Sequence, residues 1–211
     1  KAELHLHLEG SIEPSTLIEI APELDPAEIA AWYRYASFAG FLDSFKWVTS
    51  YLREPEHYGL IARRLIESLE RQNVRYAEIT LSAGVVLWRR QDLAGIYRAV
   101  REAASGSSVE VYWIFDAIRH FGPDHGMEVA RFAAERAGDG VVAFGIGGDE
   151  ARGPAEWFGG VFDFARKQGL RLTAHAGETC GPESIWKALE IGAERIGHGI
   201  SAVGDPALMR E

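Results

Sequence analysis

A chain of 211 residues is long enough for one domain with its own hydrophobic core. The composition is that of an ordinary globular protein, and no apolar run approaches the length of a membrane span. A formal net charge of −9 argues against binding to nucleic acid or to anionic lipid, since both need clustered Lys and Arg. The single cysteine, Cys180, excludes an intramolecular disulfide, and we expect a cytoplasmic protein.

The chain opens on a strand pattern, residues 2–8, that carries two histidines. In "KAELHLHLEGS" His5 and His7 are two residues apart, so in a strand both rings lie on one side. On this stretch alone, a shared metal and an ordinary pair of histidines both stay open. Gly10 permits a tight turn directly afterwards, and strand ends are where functional sites are often built.

The next stretch, residues 14–58, holds two or three helical pieces rich in aromatic residues. An insertion after the first strand of an α/β fold usually covers the mouth of that fold. We therefore predict a helical insertion over the mouth of a single domain that spans residues 1–211.

Apolar strands then alternate with helical patterns along the rest of the chain. The later strands are predicted at residues 74–81, 109–116, 141–146, 170–176 and 195–197. The helices are predicted at residues 55–72, 92–100, 124–136, 154–168 and 182–191, with Asp92 as an N-cap. This alternation is typical of a parallel sheet covered by helices.

Polar residues collect at the carboxyl ends of these strands, where a parallel α/β barrel builds its active site. "GIGGDE" follows the fourth strand, "TAHAGE" the fifth and "RIGHG" the sixth. His5, His7 and His175 could form a three-imidazole metal site with an open position for water. Glu178 would then be a proton shuttle beside the metal, and His198 could orient the attacking water.

Five stretches, in this order, resemble the adenosine deaminase family of metal-dependent purine deaminases, within the amidohydrolase superfamily. They are "ELHLHLEGS", "VRYAEITLS", "GIGGDE", "TAHAGE" and "RIGHG", and they extend from the first residues to about residue 199. The resemblance implies a (β/α)8 barrel and one zinc ion per chain. It also implies hydrolytic deamination of an adenosine-like 6-aminopurine nucleoside to the 6-oxo product and ammonia.

The same resemblance implies a role for each matching residue. His5, His7 and His175 match the zinc ligands. Glu178 matches the acid that protonates the purine N1, and His198 matches the histidine that positions and deprotonates the attacking water. Two substrate contacts are implied as well, from Gly148 to the purine and from Glu9, where the family often has an aspartate, to the ribose 5′-hydroxyl.

Two departures from the family pattern shape the remaining expectations. The family's fourth ligand, an aspartate of an Asp-Asp pair near the eighth strand, has no match, and about six strands are present where a closed barrel needs eight. We therefore expect the sequence to be a portion of a longer protein, without strands seven and eight. The loop "SAGVVLWRRQD" after the second strand, and Glu9 in place of aspartate, keep an alternative substrate open, 6-aminodeoxyfutalosine.

Two other function classes compete with a deaminase. A metal-dependent phosphoesterase also begins with His-x-His on a barrel strand, but it would need further His and Asp ligands and no "HAGE" stretch. A non-catalytic binding or scaffold relative would fit the missing strands, but not the intact His175, Glu178 and His198.

Overall fold

The computed structural model describes residues 1–211 apart from the side chain of Ala39. Its strands are β1 (Ala2–His7), β2 (Tyr76–Leu81), β3 (Glu110–Ile118), β4 (Val141–Gly147), β5 (Arg171–Ala176) and β6 (Arg195–His198). Its α-helices are α1 (Pro14–Ile20), α2 (Pro26–Trp32), α3 (Phe38–Thr49), α4 (Pro55–Arg71), α5 (Ala83–Trp88), α6 (Leu93–Ala104), α7 (Pro123–Ala134), α8 (Gly159–Lys167) and α9 (Pro182–Glu190). Within the described part of the chain, no helix has the length and apolar character that crossing a membrane requires.

All six strands belong to one sheet whose spatial order follows the chain, β1-β2-β3-β4-β5-β6. The pairs β3–β4, β4–β5 and β5–β6 are parallel, and α7, α8 and α9 lie between the members of these pairs in the sequence. Sequential parallel strands joined by helices are the topology of a (β/α) barrel. The predicted fold class, a (β/α)8 barrel of which six strands are present, is confirmed.

The chain divides into two compact units. One comprises Lys1–Ala77 and Arg90–Val111, and the other comprises Glu78–Arg89 and Tyr112–Glu211. In the first unit, α4 buries an apolar stripe at helical spacing that includes Ile61, Leu65 and Leu69. A Cβ on Gly59 of α4 would lie only 3.4 Å from the Cβ of Ala99, so the missing side chain lets α4 approach α6 closely.

The second unit has an aromatic core between its strands and helices. Phe144 of β4 meets Phe162 of α8 edge to face, with ring centroids 5.8 Å apart, and both side chains are fully buried. Phe115 of β3 stacks on Phe132 of α7 at the same centroid distance. These contacts cover the parallel strands with helices and so fix the strand ends that carry the polar residues.

Residues 14–58 contain the helices α1, α2 and α3 and the first residues of α4. Trp32 and Trp47 stack at 5.1 Å, and the Tyr33 hydroxyl donates a hydrogen bond of 2.7 Å to the carbonyl of Ile12. These contacts indicate that aromatic residues of this stretch pack within the stretch itself. Its position over the barrel mouth stays a prediction.

The structure corrects three details of the sequence analysis. β1, although its sequence pattern is apolar, is largely exposed, with Leu4 42% exposed, and it forms one edge of the sheet. The stretch after β2, expected to be a loop, forms the short helix α5. The helix predicted over residues 154–168 is instead a 3₁₀ turn, Ala155–Phe158, followed by α8, and the change falls at the flexible pair Gly159-Gly160.

Candidate active site

The end of β1 brings two imidazole rings together. The Nε2 atoms of His5 and His7 are 3.3 Å apart, and the ring planes are tilted by 54°. The expected convergence of these two rings on one face is therefore confirmed. Two nitrogens bound to one tetrahedral zinc at about 2.0–2.1 Å would be about 3.3–3.4 Å apart, so the observed spacing suits a shared metal ion.

Glu9 lies two residues beyond the end of β1, in the 3₁₀ turn Glu9–Ser11. The turn is closed by the Ser11 hydroxyl, which donates a hydrogen bond of 2.7 Å to the carbonyl of Leu8. Glu9 is only 4% exposed, and a carboxylate is seldom so buried unless it is paired. The turn thus holds a carboxylate close to the end of β1, two residues beyond His7.

His175 near the end of β5 has a defined ring orientation. Its Nδ1 lies 3.2 Å from the carbonyl oxygen of Ile146 in β4, so Nδ1 carries the proton and donates it. This tautomer puts the lone pair on Nε2, which is the state of a metal-ligating histidine held by an outer hydrogen bond. A Cβ on Gly147 would lie 3.2 Å from the same Nδ1, so glycine allows β4 to pass close beside the ring.

Glu178 and His198 form the second feature of this edge. The Glu178 carboxylate lies 3.5 Å from Nε2 of His198, and the His198 ring centroid is 5.1 Å from that of His175. Burial raises the pKa of Glu178, the negative charge of Glu150 adds to this increase, and His198 opposes it. A carboxyl group with a raised pKa beside an imidazole is suited to general acid–base chemistry.

The backbone at His198 has an unusual conformation. Its φ angle is 69°, in the left-handed region that non-glycine residues seldom adopt, and Gly199 follows with φ 63°. In the β5–β6 register His198 pairs with Ala176, one residue beyond His175. Strain of this kind persists where the surrounding structure imposes it, and it is concentrated at functional sites.

Gly148 directly follows β4 and is exposed, with φ 93°. A Cβ at this position would lie 3.2 Å from Nδ1 of His120 and would carry a side chain in a strained conformation. Glycine therefore keeps this backbone open to a ligand. His120, for which no sequence signal exists, lies next to this backbone.

Two charged residues at these strand ends were not among the predicted site residues. Arg119 directly follows β3 and is completely buried, and Glu150 follows β4 and is 3% exposed. Glu150 ends the polar stretch "GIGGDE", which is the only sequence signal for it. The sequence could not supply the partners of either side chain, because they lie 27 to 56 residues away along the chain.

The chain is similar to several known proteins. Residues 1–211 match the family described as adenosine deaminase. An aminodeoxyfutalosine deaminase from Streptomyces avermitilis is 36% identical over 223 residues, which cover 99% of this chain and 62% of the relative. An adenine deaminase from Agrobacterium fabrum is 33% identical over 218 residues, which cover 99% of this chain and 67% of the relative.

A solved structure shows the same architecture. The crystal structure of an amidohydrolase from Burkholderia ambifaria, with bound Zn, superposes with a TM-score of 0.89 at 27% sequence identity, covering 100% of this chain and 61% of that one. This chain thus spans about three fifths of the length of the Streptomyces relative and of this structural neighbour. Because the family match includes every residue, the chain belongs to the adenosine deaminase family.

Proposed function

We propose that the protein is a zinc-dependent hydrolase that removes the amino group of a 6-aminopurine. One observation carries the proposal within the structure. The carboxyl of Glu178, whose pKa is raised, lies 3.5 Å from His198 and in the same strand-end cluster as His175. The names of the family and of its relatives, which act on adenine-type compounds, support the reaction class.

His5, His7 and His175 are the proposed metal ligands. In support, each of the three residues offers one ring nitrogen as a ligand atom. The 3.3 Å spacing of the His5 and His7 nitrogens is compatible with zinc, and the Nδ1-protonated tautomer of His175 leaves its Nε2 free to bind a metal. When bound, the ion would supply a water molecule acidified towards neutral pH.

The protein side chains would carry the protons of the reaction. Protonated Glu178 donates a proton to N1 of the purine, which makes C6 electrophilic. His198 accepts a proton from the attacking water as the C6–O bond forms. The C6–N bond then breaks as the amino group takes up the proton held by His198 and leaves as ammonia. The C6 hydroxyl returns a proton to Glu178 and becomes the 6-oxo group, so that both side chains regain their starting protonation states.

Gly148 and Glu9 are the proposed substrate contacts. The open backbone at Gly148, where any side chain would be strained, supports a close approach of the purine. The buried carboxylate of Glu9 supports a hydrogen bond to a sugar hydroxyl, although its side chain is one methylene longer than that of aspartate. An adenosine-like nucleoside is therefore the first substrate to test.

A second substrate, 6-aminodeoxyfutalosine, is favoured by one specific observation. Trp88 at the end of α5 stacks on Phe121, which follows β3, with ring centroids 5.4 Å apart, yet Trp88 is 62% exposed. The Phe121 ring also meets the ring of His120, which lies against Gly148. This aromatic row leads outward from the proposed purine contact, as a larger substrate would require.

A substrate screen tests the proposal. The purified protein, once loaded with zinc and once treated with a chelator, is assayed for ammonia release from adenosine, adenine and 6-aminodeoxyfutalosine. We expect release from at least one compound by the zinc-loaded form, and recovery of activity when zinc is returned to the chelated form. Equal rates in both forms would overturn the metal dependence.

The identity of the best substrate separates the two candidates. A Trp88→Ala variant should lose activity selectively on 6-aminodeoxyfutalosine if the aromatic row binds the larger substrate. An equal effect on all three compounds would instead assign Trp88 to packing against Phe121.

A further inference from the structure

The carboxylate of Glu150 is surrounded by the backbone of the segment that carries Glu178. One carboxylate oxygen accepts a hydrogen bond of 2.9 Å from the N–H of Gly177. The other accepts from the N–H groups of Glu178 at 2.9 Å and Thr179 at 2.8 Å. Three successive backbone donors thus converge on one buried side chain that is 27 or more residues away in sequence.

Arg119 holds the same segment from the other end. Its Nη1 donates a hydrogen bond of 2.8 Å to the carbonyl of His175, and its Nε donates to the carbonyl of Gly153. Burial lowers the pKa of Arg119, and the charge of Glu150 opposes this decrease. Arg119 and Glu150 therefore bracket residues 175–179, one through a carbonyl and the other through N–H groups.

Burying the two charged groups of Arg119 and Glu150 costs desolvation free energy. A hydroxyl or an amide could satisfy the same backbone donors and acceptors at a smaller desolvation cost, so a merely structural loop would not require the charges. A carboxylate that accepts three charge-assisted hydrogen bonds gives a more rigid geometry than neutral acceptors do. The backbone angles of residues 177–179 decide the direction in which the Glu178 side chain leaves the chain.

We propose that Glu150 is a positioning residue, which fixes the backbone of residues 177–179 so that the Glu178 carboxyl stays beside His198, while Arg119 anchors the start of the same segment. The inference rests on the proposed function, because it assigns Glu150 a role only through the proton transfer of Glu178. It adds a residue outside the proposed metal and substrate contacts.

The variants Glu150→Gln and Glu150→Ala test this role. The amide of glutamine keeps one acceptor oxygen but turns an NH₂ group towards a backbone donor. We therefore expect kcat to fall by about 10–100-fold in Glu150→Gln, the range known for outer partners of a site, and further in Glu150→Ala. The KM should stay nearly constant, since neither variant touches the proposed substrate contacts.

Asp205→Asn is the matched control. The Asp205 carboxylate also accepts several hydrogen bonds, from the indole of Trp186 and the N–H groups of Ala207 and Leu208, but none from residues 177–179. Hydrogen exchange gives a readout that is independent of activity. The amides of residues 177–179 should exchange faster in Glu150→Ala than in wild type, and at the wild-type rate in Asp205→Asn.

A double-mutant cycle with Glu178→Gln separates positioning from general destabilisation. If Glu150 acts through Glu178, adding Glu150→Gln to Glu178→Gln should cause no further loss of kcat. Multiplying losses would overturn the inference, and so would wild-type kcat in Glu150→Gln when Glu178→Gln is inactive. Full activity in Glu178→Gln would instead overturn the proposed function together with the inference.

Discussion

At the scale of single residues, the proposed chemistry depends on Glu178. Replacing this carboxyl by an amide in Glu178→Gln preserves its size but removes the proton. We expect turnover to fall by about 10²–10⁴-fold, the usual contribution of a general acid, while the zinc content stays near that of wild type. Steady-state kinetics and metal analysis of the same preparation measure both quantities.

The control for this prediction is Glu183→Gln, the same change at an exposed position in the first turn of α9. It should leave kcat and zinc content unchanged. A Glu178→Gln variant that lost its zinc together with its activity would make Glu178 a ligand and not a proton donor.

The lowered pKa of Glu150 predicts the direction in which the stability of the protein changes with pH. Burial alone would raise its pKa, but hydrogen bonds from Thr179, Ser184, Gly177 and Glu178 outweigh burial and lower the pKa below its ordinary value. Because the folded-state pKa is the lower one, the stabilisation is fully present above the ordinary carboxyl pKa of about 4.3 and is lost as pH falls through the folded value.

Urea unfolding of wild type and Glu150→Gln at a series of pH values tests this sign. The difference in unfolding free energy between the two proteins should be constant near neutral pH and shrink only below about pH 4.3. A difference that instead grew on acidification would show that Glu150 is protonated in the folded protein.

At the scale of elements, the close contact of α5 with β3 decides whether that short helix forms. A Cβ on Gly84 would lie 2.8 Å from the backbone nitrogen of Ile118, and the Gly84 carbonyl accepts a hydrogen bond of 2.8 Å from His125. We expect Gly84→Ala to destabilise the fold by about 1–3 kcal/mol, the usual cost of overpacking. Thermal or urea unfolding measures this change.

Gly160→Ala provides the comparison, since Gly160 is also the second residue of a helix and a Cβ there would meet nothing within 4 Å. This variant should change stability by no more than about 1 kcal/mol, in the stabilising direction that alanine has in helices. Similar losses of stability in both variants would mean that Gly84 is not required for the close contact between α5 and β3.

Elements differ in how well the sequence predicts them. The long helix α4 begins and ends within one residue of the prediction, because its apolar residues repeat at helical spacing over 17 residues. Asp92 caps α6 as predicted, accepting a hydrogen bond of 2.9 Å from the N–H of Gly95. The six residues of α5 are too few to show a helical period, and their two valines favour a strand. The sequence therefore does not predict this helix, which depends on tertiary contacts.

The candidate site likewise contains some residues that the sequence predicts and others that it does not. Strand ends and His-x-His parity are local patterns, so the sequence could nominate His5, His7, His175, Glu178 and His198. The segment that orients Glu178 is held by Arg119 and Glu150 through contacts between distant loops. Such contacts exist only after folding, and a single sequence carries no sign of them.

At the scale of the whole molecule, metal binding should stabilise the folded protein, because the proposed ligands are assembled only in that state. Zinc at about 100 times its dissociation constant would add about 2.7 kcal/mol to the unfolding free energy. Thermal unfolding with zinc and with a chelator should therefore show a higher midpoint with zinc. A variant with His5, His7 and His175 all changed to alanine should not respond, and an equal response would place the metal elsewhere.

In the proposed reaction, oxygen from water replaces the amino group of a 6-aminopurine. The most direct measurement is mass spectrometry of the reaction product formed in ¹⁸O-labelled water, with ammonia determined in the same sample. We expect one labelled oxygen in each purine product and one ammonia for each product formed. Zinc-loaded, folded protein that yields no labelled product from adenosine, adenine or 6-aminodeoxyfutalosine would contradict it.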